Sequence, residues 1–446
     1  MRRTTTGPRD LPPLGVQQAF RLPETADVVL PEGLRVVCLR SPSAPMIELV
    51  LRIPFLCATE NDGATAEVLA TTLLRGALGR GEEDVDTELA RAGCSLGAVR
   101  RSDRIEISGS GPSAALETLV GVLADVLTGA SHAGTEVDRA RRRLAERLPL
   151  LRARPSTLAA EALRVHCRGD SPALRLIPAE AAVASVTADG VRALHRAAVV
   201  PAGAQLVLVG DLDPERTVAL LAARLREWRS RRPVGTVVPR APEHWQRPVR
   251  LVDRPGSVQS LIRLVSPAPA RTDPRFAALS LANVVFGGSF SSRLLSNVRE
   301  RGGYAYWAGS RFDDILEAMV IAVNADTATD TTVSAVAEIR AELRSMATKP
   351  VTDDELRVAG NYLLGASALA MSSQVGLATA VSTTIGFGLP PQWLESFSDE
   401  VRSVTGRQVR ELAEEMFASA TFTGVVLGDA RLLAGPLGEH LDMVLA

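Results

Sequence analysis

Apolar residues along this chain follow two periods, one typical of strands and one typical of helices. Near the beginning, "DVVLPEGLRVVCLR" predicts two strands joined by a Pro-Glu-Gly turn, and "MIELVLRIP" (Met46–Pro54) predicts a third strand. In the second part of the chain, "VQSLIRLVSP" (residues 258–267) predicts a comparable strand. Thr352, followed three residues later by Glu355, predicts the capped start of a helix. Spacings of three and four residues predict further helices over residues 64–74, 85–92, 114–128, 275–286 and 332–346.

One segment of the chain occurs twice, which indicates an internal duplication. "SVTADGVRALHRAAVVPAGAQLVLVGD" starts at Ser185 and "SVTGRQVRELAEEMFASATFTGVVLGD" starts at Ser403, a separation of 218 residues (403 − 185). The terminal Gly-Asp pairs, which begin at Gly210 and Gly428, have the same separation. Each copy predicts an amphipathic helix followed by a buried strand that a Gly-Asp turn closes. We therefore expect an α+β protein of two tandem homologous α/β halves, about 220 residues each, in which helices pack on an antiparallel-rich sheet.

The segment between the two halves differs from both of them in composition. It reads "RSRRPVGTVVPRAPEHWQRP" (residues 229–248), is rich in proline and arginine, and follows neither period. Such a composition is typical of a linker. The sequence therefore predicts an N-terminal domain over residues 22–228, a linker over residues 229–248, and a C-terminal domain over residues 249–446.

Composition and charge narrow the classes of partner. The chain has 50 Lys and Arg residues against 51 Asp and Glu residues, so it lacks the positive field that binding to a nucleic-acid backbone requires. Its four cysteines are scattered without a Cys-x-x-Cys pair, which predicts free thiols. No apolar run approaches the ~20 residues of a membrane helix, and no apolar core follows the arginines at the start. We expect a cytoplasmic protein with neither a nucleic-acid nor a membrane partner.

Several motifs together point to a known family. "LLRGA", "VVPAGAQLVLVGDLDPE", "FGGSFSSRLLSNVRERGGYAYW" and "PVTDDELRVAGNYLLGASALAM" follow one another in the order found in the M16 metallopeptidases. The chain resembles in particular the half-length M16B subfamily, which includes bacterial processing-peptidase-like proteins and the subunits of the mitochondrial processing peptidase. The resemblance covers nearly the whole chain from about residue 22 onward. It implies that the two halves form half of a peptidase chamber, which a second chain completes.

The resemblance also locates a degenerate metal motif in the first half. Active family members carry His-x-x-Glu-His on a helix, and aligning the glycine of "LLRGA" with the family pattern puts Glu67 and Thr71 at the histidine positions. Ala70 stands where the general-base glutamate belongs, and Glu146 fits the position of the third ligand. Zinc needs at least three good ligands, which these residues do not supply, and none of the five histidines forms a closely spaced pair. We therefore expect no metal in this chain. Glu146 is either a vestige of the metal site or a solvated residue of an arginine-rich helix.

The second half keeps another motif of the family. Active assemblies use Arg-Glu-x-x-Gly-Leu-Ala-Tyr, and this chain has "RERGGYAY", with Arg299 and Tyr306 in register and Tyr304 in place of leucine. The resemblance implies that the guanidinium and the phenol hold the substrate carbonyl and stabilise the oxyanion formed during hydrolysis. Taken alone, Arg299 could equally form a surface ion pair and Tyr306 could be a core aromatic residue.

These observations favour a catalytically incomplete subunit of a heterodimeric zinc metalloendopeptidase. The resemblance implies a homologous partner that carries His-x-x-Glu-His and zinc, a peptide substrate, and a role for Arg299 and Tyr306 in the partner's active site. Peptide processing, including leader-peptide removal, is suggested only by analogy. The alternative is a non-enzymatic scaffold or peptide-binding protein with the same fold, although such a protein has no need of the Arg/Tyr pair. A zinc enzyme that works alone is disfavoured by the substituted motif.

Overall fold

The computed structural model describes residues 20–57, 59–169, 175–229, 247–315, 318–418 and 421–445. Most of the predicted linker, residues 230–246, lies outside the described residues, so the proposed domain boundaries stay a prediction. In the described part of the chain, helices pack on two six-stranded sheets. This mixed architecture confirms the predicted α+β fold class.

Three of the predicted strands, Met46–Pro54 among them, form where the hydrophobic pattern indicates, within one residue at either end. The strands of the described residues are β1 (Thr25–Val29), β2 (Arg35–Arg40), β3 (Met46–Pro54), β4 (Gly76–Ala77), β5 (Arg80–Gly81), β6 (Ser95–Arg100), β7 (Arg104–Pro112), β8 (Gln205–Gly210), β9 (Val249–Asp253), β10 (Gln259–Pro267), β11 (Ala305–Ile315), β12 (Ala318–Ala328), β13 (Thr423–Gly428) and β14 (Met443–Leu445).

The helices of the described residues are α1 (Glu60–Thr72), α2 (Glu82–Arg91), α3 (Leu116–Gly129), α4 (Gly134–Ala153), α5 (Pro155–Arg168), α6 (Glu180–Ala184), α7 (Ala188–Ala198), α8 (Pro214–Arg224), α9 (Phe276–Asn283), α10 (Arg293–Leu295), α11 (Thr332–Thr348), α12 (Asp353–Ala370), α13 (Gln374–Gly386), α14 (Trp393–Ser403), α15 (Gly406–Met416) and α16 (Ala430–Gly438). Two π-helical turns, Val284–Gly288 and Ser296–Arg301, follow α9 and α10. Among these residues no single helix is long and apolar enough to cross a membrane, although α12 and α13 together reach that length and composition across a bend of 112°.

The two sheets have equivalent strand orders, as the internal repeat predicts. The first sheet has the order β1-β2-β8-β3-β7-β6, and the second, taken from its other end, has the order β14-β9-β13-β10-β12-β11. The repeated strands β8 and β13 occupy the same place, each antiparallel to one neighbour and parallel to the other. Strand β11 therefore lies at an edge of the second sheet, as β6 does in the first.

Each half covers one sheet face with a helix that belongs to the other half. On the first sheet, Val37 and Val209 pack against Val381 and Ile385 of α13. On the second sheet, Cys167 of α5 packs in a cluster with strands β10 and β12. Burying such side chains contributes about 1.5–3 kcal/mol each. The two halves are therefore interlocked through α5 and α13.

Polar contacts join the same elements. The Arg52 guanidinium donates to the carbonyl oxygen of Ser382 at 2.9 Å, and the Gln205 side chain donates to the carbonyl oxygen of Ile385 at 3.0 Å. Both acceptors are backbone carbonyl groups near the C-terminal end of α13. These bonds fix the position of α13 against the first sheet.

The predicted helices differ from the observed ones by up to four residues at their ends, and two of these differences have an identifiable local feature. Helix α1 begins at Glu60 rather than at residue 64, because Thr59 and Asp62 form a capping box with bonds of 2.8 and 3.2 Å. Helix α9 ends at Asn283, and the chain continues as a π-helical turn instead of as α-helix to residue 286. In this turn Gly287 lies so close to β11 that a Cβ would stand 2.9 Å from the backbone nitrogen of Ser310.

Candidate functional site

Helix α1 carries the three positions that the sequence predicts to correspond to the zinc motif, Glu67, Ala70 and Thr71, and none of them is a histidine. Ala70 is buried. Thr71 is exposed, and its hydroxyl donates to the carbonyl oxygen of Glu67 at 2.9 Å, one turn earlier in the same helix. A hydroxyl that donates to a backbone carbonyl of its own helix is a poor metal ligand, and the side chain of alanine cannot accept a proton.

The carboxylate of Glu67 is paired with a cation of the chain itself. Arg100, at the end of β6, donates to Glu67 Oε1 at 3.1 Å and to Cys57 Sγ at 3.1 Å. The Arg100 side chain is only 9% exposed. Burial lowers the pKa of Arg100, but Cys57 and Glu67 more than offset this effect, so the pKa is raised overall and the group stays charged. A guanidinium therefore provides the positive charge beside Glu67.

Glu146 does not complete a metal site. It lies on the exposed face of α4, and its carboxylate makes no hydrogen bond or ion pair with any residue that the structure describes. It is therefore not joined to Glu67, although α1 and α4 are in contact. No group of three or more His, Cys, Asp or Glu side chains in the described ranges is arranged so that it could hold a metal ion. The residues present do not fit a zinc site.

The end of α1 is tied into a buried chain of hydrogen bonds that sequence spacing does not indicate. Thr72 Oγ1 lies 2.8 Å from His132 Nδ1, His132 Nε2 lies 2.8 Å from His195 Nδ1, and His195 Nε2 lies 3.0 Å from the carbonyl oxygen of Leu127. Burial, with smaller effects of His195 and Arg192, lowers the pKa of His132 to about 3. Burial also lowers the pKa of His195. The two neutral rings join α1, α3 and α7, and their separation of 63 residues hides the pair from motif analysis.

Arg299 lies on the second of the π-helical turns, Ser296–Arg301, and its side chain is exposed. Two backbone hydrogen bonds fix the segment that follows the turn. The N–H of Gly303 donates to the carbonyl oxygen of Arg299 at 3.0 Å, and the N–H of Tyr304 donates to that of Val298 at 2.9 Å. The side chain of Arg299 makes no hydrogen bond or ion pair with any described residue. The surface ion pair that its type alone suggested is therefore absent from this part of the structure. Short π-helical segments are frequent at functional sites.

Tyr306 lies seven residues after Arg299, at a β-bulge in the edge strand β11. Ala305 pairs with Thr327 and Trp307 pairs with Asp326, although Thr327 and Asp326 are adjacent residues of β12. Tyr306 is the extra residue and is 87% exposed. A bulge redirects a side chain at the edge of a sheet. Tyr306 is thus presented to solvent and is not the core aromatic residue that composition alone permitted.

Tyr304, which replaces the leucine of the family pattern, has a packing role. Its ring is half-buried against the second core, and its carbonyl oxygen accepts a bond of 2.8 Å from the Thr331 hydroxyl. A Cβ at residue 302 would collide with the ring, so Gly302 makes room for the larger side chain. The substitution therefore leaves the backbone between Arg299 and Tyr306 anchored.

Comparisons with known proteins place this geometry in context. Residues 185–363 match the family model described as "Peptidase M16 inactive domain". Over 406 residues the chain is 24% identical to a protein of Streptomyces coelicolor named an uncharacterized zinc protease, and this match covers 89% of the chain and 88% of that protein. Over 148 residues it is 25% identical to a probable inactive metalloprotease of Bacillus subtilis, with coverage of 33% and 34%.

A solved structure extends the likeness to the fold. A crystal structure of a peptidase M16 inactive domain from Pseudomonas fluorescens superposes with a TM-score of 0.79 at 21% identity. The superposition covers 91% of this chain and 98% of that one. The shared fold therefore includes both sheets and the interlocked helices.

Proposed function

Because this chain is a relative of the M16 peptidases, we propose that it is the non-zinc-binding subunit of a heterodimeric M16B metalloendopeptidase. In this assembly a homologous chain with an intact His-x-x-Glu-His motif holds the zinc. The present chain contributes Arg299 and Tyr306 to the partner's active site, and the two chains together enclose a peptide substrate.

The observation that carries the proposal is the exposure of Tyr306 at the bulge of an edge strand. A tyrosine ring is normally at least partly buried, whereas this ring is 87% exposed and follows an exposed, unpaired Arg299. The π-helical turn and the bulge both present these side chains outward, and the core needs neither of them. Such a pair is suited to a surface that another chain covers.

The chemistry of the pair fits oxyanion stabilisation. A guanidinium and a phenol are both hydrogen-bond donors, and both can bind the carbonyl oxygen of a peptide bond and hold it more tightly as negative charge develops. Each donor of this kind is worth about 10²–10³ in kcat. The partner's zinc would supply the activation of water. Arg100 beside Glu67 supports the same division of labour, because it leaves this chain's own α1 without a metal-binding role.

The substrate class that we propose is an extended peptide. Strands β6 and β11 are edge strands, and an open edge can bind a peptide by adding it as a further strand. Tyr306 lies at the beginning of β11, so a peptide bond held there lies beside an available edge. Processing of peptides, including removal of leader segments, remains an analogy with the family.

The test is peptide hydrolysis by this chain alone, by a homologue with His-x-x-Glu-His alone, and by the mixture. We expect hydrolysis by the mixture, with a loss of about 100-fold for Arg299→Ala and for Tyr306→Phe. Arg301→Ala and Tyr362→Phe are matched controls, because both side chains are exposed and neither stands at a position that the family motif specifies. Size-exclusion chromatography checks that each variant still forms the complex.

Two results would contradict the proposal. One is hydrolysis by the zinc homologue that does not depend on this chain, and the other is a mixture whose activity is indifferent to both Arg299→Ala and Tyr306→Phe. Either result would favour the alternative of a non-enzymatic scaffold or peptide-binding protein.

A further inference from the structure

The second half contains a cavity of about 460 Å³ that the proposed function does not use. It lies between β11, α9, α12, α13 and α14. Cavities that bind small organic ligands have volumes of about 300–1,000 Å³. Its size is therefore that of a ligand site.

The walls of this cavity are aromatic. The Phe276 ring lies with its centroid 5.2 Å from that of Phe312 and 5.7 Å from that of Phe397, while Trp393 stacks on Phe397 at 4.6 Å. Rings at such separations attract one another in tilted and stacked arrangements, and they offer further faces and edges to an aromatic guest. The cavity thus favours an aromatic group.

One polar side chain in the cavity lacks part of its hydrogen bonding. Asn283, which is 5% exposed, accepts a bond of 2.7 Å from the Ser310 hydroxyl through Oδ1. Its Nδ2 makes no hydrogen bond with a described residue. Gly288 has no side chain to block the amide, since a Cβ there would stand 3.1 Å from Nδ2. An almost fully buried amide therefore presents a free donor to a ligand.

Arg271 provides a cation at the mouth of the same cavity. Its guanidinium lies 5.3 Å from the centroid of Phe276 and 4.6 Å from that of Phe387. Its Nε is buried without a hydrogen bond, and the side chain forms no ion pair with any residue the structure describes. Burial lowers the pKa of Arg271, and the charge of Asp314 partly offsets this effect. A desolvated guanidinium of this kind favours an anionic ligand.

Arg271 also lines a second cavity, of about 780 Å³, which has walls from both halves. Arg52 lines this larger cavity as well, and its guanidinium donates to the carbonyl oxygen of Ser382. Because Phe312 and Thr383 also belong to both cavities, the aromatic cavity opens toward the space between the halves. A ligand can thus reach the rings past Arg271.

We propose that this cavity binds an aromatic group that carries a carboxylate, with the ring among Phe276, Phe312 and Trp393 and the carboxylate on Arg271. Asn283 donates to the same ligand from inside the cavity. Two sources share this chemistry, namely a free aromatic carboxylic acid and the C-terminal aromatic residue of a peptide. The site is independent of the role proposed for Arg299 and Tyr306.

Calorimetric titration of the full chain with N-acetyl-L-phenylalanine and with its C-terminal amide tests the proposal without a variant. The two compounds have the same ring and differ only in charge. We expect saturable binding of the acid, about tenfold tighter than that of the amide, because charged hydrogen bonds are about twice as strong as neutral ones. N-acetyl-L-alanine, which lacks the ring, should bind more weakly than either. Equal affinities for acid and amide, or no saturable binding of the acid at millimolar concentration, would overturn the proposal.

Variants of two nearby arginines then locate the carboxylate. Arg271→Gln should abolish the difference between acid and amide, whereas Arg275→Gln should preserve it, because Arg275 is exposed and pairs with Asp273 and Glu415. Thermal melting checks that both variants are folded. A folded Arg271→Gln that still prefers the acid tenfold would refute the assignment.

Two further ligands distinguish the sources of the carboxylate. A pentapeptide that ends in a free phenylalanine should bind more tightly than N-acetyl-L-phenylalanine if the site accepts peptide ends. Phenylacetate should bind at least as tightly as the pentapeptide if the site accepts a small acid. Each of these results supports the proposal, and failure of both ligands to bind would count against it.

Discussion

Arg100 donates a hydrogen bond of 3.1 Å to Glu67, the residue that the sequence comparison predicts at the position of the first zinc histidine. The same guanidinium donates to Cys57 at 3.1 Å, so one buried cation joins the end of β6 to α1 and to the segment just before it. A carboxylate that is partly buried needs a partner, and in this chain an arginine supplies it.

Removing this cation should destabilise the fold, because a partly buried carboxylate would lose its partner. We expect Arg100→Gln to lower the free energy of unfolding by about 1–2 kcal/mol, less than for a fully buried pair because Glu67 remains about one-third exposed. The matched control is Arg101→Gln, whose largely exposed side chain should contribute about 0.5 kcal/mol or less. Urea unfolding at neutral pH measures both. If both variants lower the free energy of unfolding equally, the buried pair of Arg100 and Glu67 stabilises the fold no more than an exposed ion pair does.

The buried histidines predict a stability that falls in mild acid. Burial lowers the pKa of His132 to about 3 and that of His166 to about 4, and it also lowers the pKa of His195. In the unfolded chain the pKa of histidine is about 6.5, so below that pH the unfolded state binds more protons than the folded state. The stability contribution is therefore complete above pH 6.5 and is lost as the pH falls toward the folded pKa.

At pH 5.5 His132 and His166 should each lower the free energy of unfolding by about 1.4 kcal/mol relative to its value above pH 7. Urea unfolding at both pH values measures the total, in a range where carboxylates change little. His132→Asn should reduce the pH dependence, whereas substitution of the exposed His440 by Asn should leave it unchanged. A free energy of unfolding that is the same at both pH values would contradict the predicted titration.

Two tyrosines of one motif should differ in their effect on stability. Tyr304 packs against the second core, so Tyr304→Ala should cost about 2 kcal/mol or more. Tyr306 is almost fully exposed, so Tyr306→Ala should cost about 0.5 kcal/mol or less. Chemical unfolding followed by circular dichroism compares them. A large loss for Tyr306→Ala would show that this side chain supports the fold, which would remove the main reason for assigning it a role toward a partner.

The sequence predicts the regular parts of this fold well, for local physical reasons. Strand β3 has the predicted bounds because its apolar residues alternate over nine positions. The capping box at Thr352 and Glu355 forms as predicted, because it depends on residues only three positions apart. The relationship to the M16 peptidases, inferred from short motifs, is confirmed by the family match and by relatives of similar length. The internal repeat correctly indicates that β8 and β13 hold equivalent places.

The sequence does not predict the contacts that give the candidate sites their character. Arg100 reaches Glu67 across 33 residues, and His132 reaches His195 across 63, so no spacing rule indicates either pair. The bulge at Tyr306 depends on the register of β11 against β12, which hydrophobic alternation does not fix at an edge. Pairing of the repeated halves through α5 and α13 depends likewise on tertiary packing.

Interlocking of the halves predicts that a change in α13 weakens the first sheet. Val381 of α13 is buried against that sheet, next to Val37 and Val209, so Val381→Asp places an unpaired charge there. Such a charge should cost about 4 kcal/mol or more. Hydrogen exchange followed by mass spectrometry should then find reduced protection of β2 and β8, which belong to the other half of the chain. Thr379→Asp, on the exposed face of the same helix, should leave that protection unchanged. Loss of protection confined to the second half would mean that the two halves unfold independently, in spite of the helix that each contributes to the other.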